Sequence, residues 1–320
     1  MEWDRSSGEG HRHKSRCGFE NWDKEREKLK TILNRATMKD GKTVILTTLN
    51  NAWAAPNSVF DIFLESFEIG NDVKKLLNHL VVIALDYEAY SRCLVIHFHC
   101  YAFNSGQWEV DNNDSSGEAY FMTSDYLEMM WKRIDFLQKV LELGFNFVFT
   151  DADIMWFRDP FPKFHSDVDF HIACDYFTGD PWDLSNLPNG GFTYVKSNER
   201  TIEFYRYWYD SRMTYPGLHD QEVLDKIKNN VSLLMGVKIM FLDTRMFGGF
   251  CEPSKDFNQV CTMHANCCFG LDNKVHDLKI LLDDWRNYLL RSHDLDDPSS
   301  SEPPSWNAPK NCSYYYYQIH

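Results

Sequence analysis

Two carboxylates one residue apart, Asp151 and Asp153, close the apolar run Phe147-Val148-Phe149-Thr150. Side chains at i and i+2 leave a strand end on the same side. Paired there, they make a site for a hard divalent ion, Mg²⁺ or Mn²⁺, with room for phosphate oxygens. The plain alternative is a solvated turn, because D-x-D recurs in surface turns. The FVFT run before the pair and Trp156-Phe157 after it argue against solvation.

The elements that must position this pair read as a repeating strand–helix pattern. A mixed-charge helix at 23–35 follows a polar start and ends at Gly41. Residues 43–49 (TVILTTL) form a β-branched strand, 56–80 a helix with Val59, Ile62, Phe63 and Phe67 at helical spacing, and 80–85 (LVVIAL) a second buried strand. This is a right-handed βαβ unit. Ligands bind beyond the carboxyl ends of such strands, which groups Thr47, Thr48, Leu49, Asn50 and Asp86 around one crevice. The segment 93–103 reads as another strand or an edge. Its His97 and His99 share a side at period two, as a metal pair or as packing residues. A polar loop spans 104–116. The helix 124–143, with Ser124 as cap and Gly144 as stop, leads into the D-x-D strand.

Beyond it, 169–174 is a strand ending at Asp175, and Leu187-Pro188-Asn189-Gly190-Gly191 enters a strand at 192–195. Helices are expected at 198–212, at 219–229 opening on His219-Asp220-Gln221, and at 274–290; strands at 237–242 and 259–264. Domain limits follow: 1–40 a polar segment with a short helix, 41–292 the folded domain, and 293–320 a mostly disordered, proline-rich tail. The fold class is α/β, with a single mixed, mainly parallel sheet flanked by helices.

With 320 residues, 43% hydrophobic, the chain can bury a large core. A net charge of −14 argues against nucleic acid as a partner. No apolar run reaches the roughly 20 residues of a membrane span, and no signal-peptide core is seen at the start, so the chain as given reads as soluble. Nine cysteines are an odd number and few for a disulfide scaffold. N-x-S sequons stand at Asn113, Asn230 and Asn311. Cys261-x-x-His264-x-x-Cys267-Cys268 has zinc-like spacing, although four ligands crowd into eight residues. A packed core histidine is the other local reading.

FVFTDADIMWFRDPF resembles glycosyltransferase family 77, plant nucleotide-diphospho-sugar transferases of GT-A (Rossmann-like) fold. VILTTLNNAWA, MMWKRIDFL, LPNGGF and MHANCCFGL agree with it, in order, over residues 41–292. The resemblance implies a retaining, metal-dependent transferase using a UDP-sugar, with His264 as third ligand to Mn²⁺ or Mg²⁺ beside Asp151 and Asp153. It implies Gly270 and Lys274 at the diphosphate; glycine lets the backbone approach phosphate and a lysine at a helix start adds charge. Arg133 would reach the nucleotide, while Lys132 points about 100° away. Asp175, Asn189, Asp220 and Gln221 would form the sugar site. The implied donor sugar is a pentose, xylose or arabinose, the acceptor a cell-wall polysaccharide or glycoprotein, and the compartment the Golgi lumen. Two rival readings remain: an inactive nucleotide-sugar-binding homologue, and a haloacid-dehalogenase-type phosphatase with Asp283-Asp284 as second acidic pair. That phosphatase motif wants Thr or Val at the position Met155 occupies.

Overall fold

A computed structural model describes residues 10–103, 123–293 and 304–312. The loop expected at 104–116, Asn113 and the tyrosine run 314–317 lie outside them. The first helix, α1 (Gly10–Ala36), starts well before the expected 23, because the preceding stretch lacks a proline or a turn-forming pair to stop it. Its Leu29, Leu33 and Ala36 are buried.

Strand β1 (Thr43–Leu49) is followed by α2 (Asn51–Ala54), α3 (Val59–Ile69) and a 3-10 turn (Lys74–His79). The helix expected at 56–80 thus ends early, at Gly70, whose close neighbours leave no room for a Cβ. Then come β2 (Leu80–Ala84), α4 (Tyr87–Ile96), β3 (Cys100–Ala102), α5 (Ser124–Glu142), β4 (Asn146–Thr150) and β5 (Ile154–Trp156). The cap of α5 is Thr123, which accepts from the Tyr126 N–H, rather than Ser124. The second half adds β6 (Phe170–Tyr176), β7 (Leu187–Val195), α6 (Glu199–Ser211), α7 (Asp220–Leu233), β8 (Ile239–Phe241), β9 (Phe247–Gly249), β10 (Thr262–His264) and α8 (Leu271–His293).

The main sheet runs β3-β2-β1-β4-β7-β6-β8. All neighbours are parallel except β7, which is antiparallel to both β4 and β6. This is the mixed, mainly parallel α/β sheet expected from the sequence. Its strands are buried on both faces, as parallel strands under helices must be. One face packs Ile45, Leu49, Phe63 and Phe67 with α8; the other packs Val44, Leu46, Phe147 and Leu33 with α5 and α6. A small sheet, β5-β10-β9, hangs below the D-x-D turn and pairs His264 with Ile154.

The segment 93–103 is mostly not a strand. Asp86 caps a helix there, accepting from the Ala89 N–H at 2.7 Å, and Leu94 and Val95 face solvent. His97 Nε2 meets the Leu80 carbonyl at 2.7 Å, so it is a packing residue and not half of a metal pair. Among the described residues three disulfides join Cys93–Cys100, Cys251–Cys267 and Cys268–Cys312. They overturn the zinc spacing, because Cys267 and Cys268 are spent in separate bridges and Cys261 is buried and free. The tail is likewise not wholly disordered: Ala308 and Cys312 are buried, held by carboxylates of α8 that sequence alone does not pair with them.

Candidate active site

The carboxyl ends of the parallel strands open into a cavity of about 780 Å³. Thr48 of β1, Arg133 of α5, Asp151 and Asp153 after β4, Asp175 of β6, Asn189 of β7 and Asp220-Gln221 of α7 all line it. His264, Gly270 and Lys274 close it from β10 and the start of α8. Three expected residues do not line it. Thr47 and Leu49 are buried on the core side of β1, because strand side chains alternate and only Thr48 faces the cleft. Asp86 is occupied as a cap, accepting from the Asn51 and Ala89 amides.

Like Asp220, Asp153 is almost wholly enclosed, 1% exposed. Lys274 Nζ lies 2.5 Å from its Oδ2 and His264 Nε2 lies 3.2 Å from its Oδ1. Burial raises its pKa, but the Lys274 and His264 charges outweigh that and hold it well below the carboxylate range. His264 moves the other way: burial lowers it, the Asp153 carboxylate more than compensates, and its pKa ends raised. Asp151, partly open to the cleft, is raised by burial and by the neighbouring Asp153 charge, against the pull of Arg133.

Arg133 is buried and spans the site. It donates to Asp151 Oδ1 at 3.1 Å and to Asp220 Oδ2 at 2.5 Å, with its guanidinium 4.9 Å from the Phe149 ring centroid. Asp220 would be raised by burial, yet Arg133 and His219 bring it down to about 2. Lys132, its sequence neighbour, instead pairs with Glu128 on the surface.

Asp175 is fully engaged by amides. Its Oδ1 accepts from Asn189 at 2.7 Å and Asn266 at 2.8 Å, and its Oδ2 from Gln221 Nε2 at 2.8 Å. Gln221 Oε1 accepts the Gly190 N–H at 3.0 Å. The aspartate therefore orients Asn189 and Gln221, which keep spare hydrogen-bonding capacity toward the cavity. Sequence reasoning missed Asn266, Trp53 and Tyr126, which also line the cavity. A polar residue two positions after His264 was the available signal for the first; Trp53 lies in the VILTTLNNAWA segment that carries the resemblance, and Tyr126, in the first turn of α5, has no pattern of its own.

Asp151, Asp153 and His264 each offer a ligand atom, all within 4.8 Å of one another. Among the described residues Asp153 Oδ1 is buried without a well-aligned hydrogen bond, His264 Nε2 standing 3.2 Å off, so a lone pair is open to a cation. Gly191 backs the group: a Cβ there would stand 2.7 Å from both Asp151 Oδ2 and His264 Cε1. Two carboxylates and an imidazole suit Mn²⁺ or Mg²⁺. Of the second acidic pair of the phosphatase reading, Asp283 pairs with Arg286 on the surface and Asp284 accepts from Asn307 and Ala308; neither lines the cavity.

An uncharacterized protein of Arabidopsis thaliana is 51% identical over 288 residues, 89% of this chain and 74% of that protein. An Arabidopsis thaliana UDP-D-xylose:L-fucose alpha-1,3-D-xylosyltransferase is 23% identical over 203 residues, 56% of this chain and 51% of its own. Among solved structures, mouse xyloside xylosyltransferase 1 superposes with a TM-score of 0.44 at 12% identity, over 70% of this chain and 98% of that one. The profile of the nucleotide-diphospho-sugar transferases matches residues 75–278, and the chain belongs to that family.

Proposed function

We propose that this protein is a retaining glycosyltransferase that moves a pentose, xylose or arabinose, from a UDP-sugar to a glycan or glycoprotein acceptor with Mn²⁺ or Mg²⁺. The observation that carries this is the Arg133 bridge, which ties a metal-type carboxylate, Asp151, to a carboxylate of the sugar side, Asp220, within one cavity. Asp151, Asp153 and His264 would hold the cation. When bound, it supplies positive charge to the leaving diphosphate.

The chain's own groups do the rest. Lys274, at the start of α8, adds a second positive charge beside Asp153 for the phosphates. Asp220 is ionised at neutral pH and fixed by Arg133, so it stabilises positive charge growing on an oxocarbenium-like sugar. Gln221, locked by Gly190 and Asp175, orients the ring. No covalent nucleophile is assigned; same-face substitution assisted by the leaving phosphate fits these groups. The pentose rests on the family resemblance and on the name of the xylosyltransferase relative. Three disulfides fit an oxidising compartment such as the Golgi lumen. Cell-wall polysaccharide as acceptor rests on the resemblance alone.

The test is UDP release across a panel of UDP-sugars with Mn²⁺, with and without acceptor glycans. UDP-xylose or UDP-arabinose should turn over fastest, and Asp153→Ala should abolish Mn²⁺-dependent UDP binding. UDP binding by the variant at wild-type affinity would remove the metal assignment. Binding without turnover for any donor would favour an inactive homologue.

A further inference from the structure

The loop between β10 and α8 carries His264 at its entrance and Gly270 at its exit, with Lys274 one turn into the helix. It is stapled on both sides by adjacent cysteines. Cys267 bridges to Cys251, beyond β9, and Cys268 bridges to Cys312, in the C-terminal segment. Cys251, Cys267 and Cys268 themselves line the donor cavity.

The segment bearing Cys312 is held in turn. The amides of Lys310, Asn311 and Cys312 all donate to Asp277, at 2.9, 2.9 and 2.7 Å. Asp277 is fully buried and lies three residues after Lys274 on the same helix. One turn-pair further, Asp284 accepts the Asn307 amide at 2.6 Å. The Trp306 ring stacks 3.9 Å from Phe257 and 5.7 Å from Phe157, which directly follows β5. A segment whose composition reads as disordered is therefore attached at one end to Phe157, just after β5, and at the other, covalently, to the wall of the site.

We propose that the segment 304–312, through Asp277 and the Cys268–Cys312 bridge, is a positioning element of the donor site that sets His264 and Lys274 against Asp153. This rests on the transferase reading above. Two covalent bridges from neighbouring residues remove most of the loop's freedom, and charge-assisted bonds to Asp277 fix the far end. The helix that presents Lys274 to the cleft is the same helix that grips the segment, so loosening one displaces the other.

The experiment compares Cys268→Ser/Cys312→Ser and Asp277→Asn with Cys93→Ser/Cys100→Ser, which removes a bridge that does not line the cavity. Mn²⁺ alone and UDP with Mn²⁺ are titrated calorimetrically, and hydrogen exchange is followed over 264–275 in ligand-free protein. The first two variants should bind both ligands about tenfold more weakly, as loss of an outer support of a metal site does, with faster exchange across the loop. The control should lose thermal stability and keep both affinities. Unchanged affinities and exchange in either Cys268→Ser/Cys312→Ser or Asp277→Asn would overturn the proposal; a lower melting temperature alone is the mark of a merely structural role. Should wild-type protein fail to bind UDP, the transferase reading falls, while Mn²⁺ affinity and ligand-free exchange still decide the positioning role.

Discussion

Asp153 receives two positive side chains, Lys274 on one oxygen and His264 near the other. The three carboxylates Asp151, Asp153 and Asp220 are then balanced by Arg133, Lys274 and, when protonated, His264. Lys274 thus neutralises, through Oδ2, the carboxylate whose other oxygen a cation would use, yet it also supplies charge a diphosphate would use. The two roles separate in one variant. Lys274→Met should bind Mn²⁺ alone more tightly and UDP with Mn²⁺ more weakly, each by about tenfold, the scale of one charge-assisted contact. Calorimetric titrations of both ligands check the opposite signs; parallel weakening would make Lys274 a structural residue only. At this scale the D-x-D pair was legible, because an apolar strand delivers it to a sheet edge. Thr47, Leu49 and Asp86 were misplaced because nearness in sequence does not reveal which side of a strand faces the cleft, or that a carboxylate is already engaged as a helix cap.

Among the elements, β7 carries the greatest constraint. It runs antiparallel between β4 and β6, and the Asp151 N–H donates to the Gly191 carbonyl at 2.7 Å. Its backbone therefore passes against the metal-type triad, and the limit at 191 is space rather than backbone angle. A Cβ there would meet Asp151 Oδ2 and His264 Cε1 at 2.7 Å and Asn189 Oδ1 at 3.0 Å. At Gly190 the nearest atoms, of Arg133 and Asp220, stand at 3.6 and 3.8 Å, ordinary contact. Gly191→Ala should lower Mn²⁺ affinity by about tenfold while costing only about 1 kcal/mol of stability; Gly190→Ala should leave Mn²⁺ affinity nearly as it is. Titration beside urea unfolding tests the contrast, and equal effects at the two glycines would contradict the packing described. The βα order and the long helix before the D-x-D strand could be read from periodicity. The start of β7 could not, since Leu187-Pro188-Asn189-Gly190-Gly191 looks like a loop, and its strand character comes from neighbours on both sides. Cysteine pairing was equally hidden, because it depends on which loops the fold brings together.

For the whole molecule, stability against pH is set by which buried groups refuse a proton. The lowered carboxylates, Asp220 at about 2 along with Asp169 and Asp277, act only in acid. Their contribution is complete above the unfolded value near 4 and is lost as pH falls through their folded values. Between pH 6.5 and about 4.5 the unfolded histidines take up protons, alongside the raised carboxyls of Asp86 and Asp151. His171 is fully buried, its Nε2 accepts the His165 N–H at 3.0 Å, and burial, with help from Lys196 and His165, lowers its pKa to about 3. The unfolded chain takes up this proton below 6.5, whereas the folded chain does not until near 3. Stability from His171 is therefore complete above 6.5 and declines as pH drops. His264 has the reverse sign: its raised pKa gives stability below 6.5 that is lost as pH rises through the folded value. Relief of self-repulsion as the −14 charge shrinks also opposes the His171 slope. Comparing two chains that differ at one site cancels both. His171→Gln keeps an acceptor for the His165 amide without titrating. Urea unfolding of wild type and variant from pH 7 to 4.5 should show the wild-type stability falling faster by up to about 1.4 kcal/mol per pH unit. Parallel curves would mean that His171 takes up its proton in the folded protein as readily as in the unfolded one, and that the sheet face between Phe164 and Tyr194 admits a charge its aromatic lining is built to exclude.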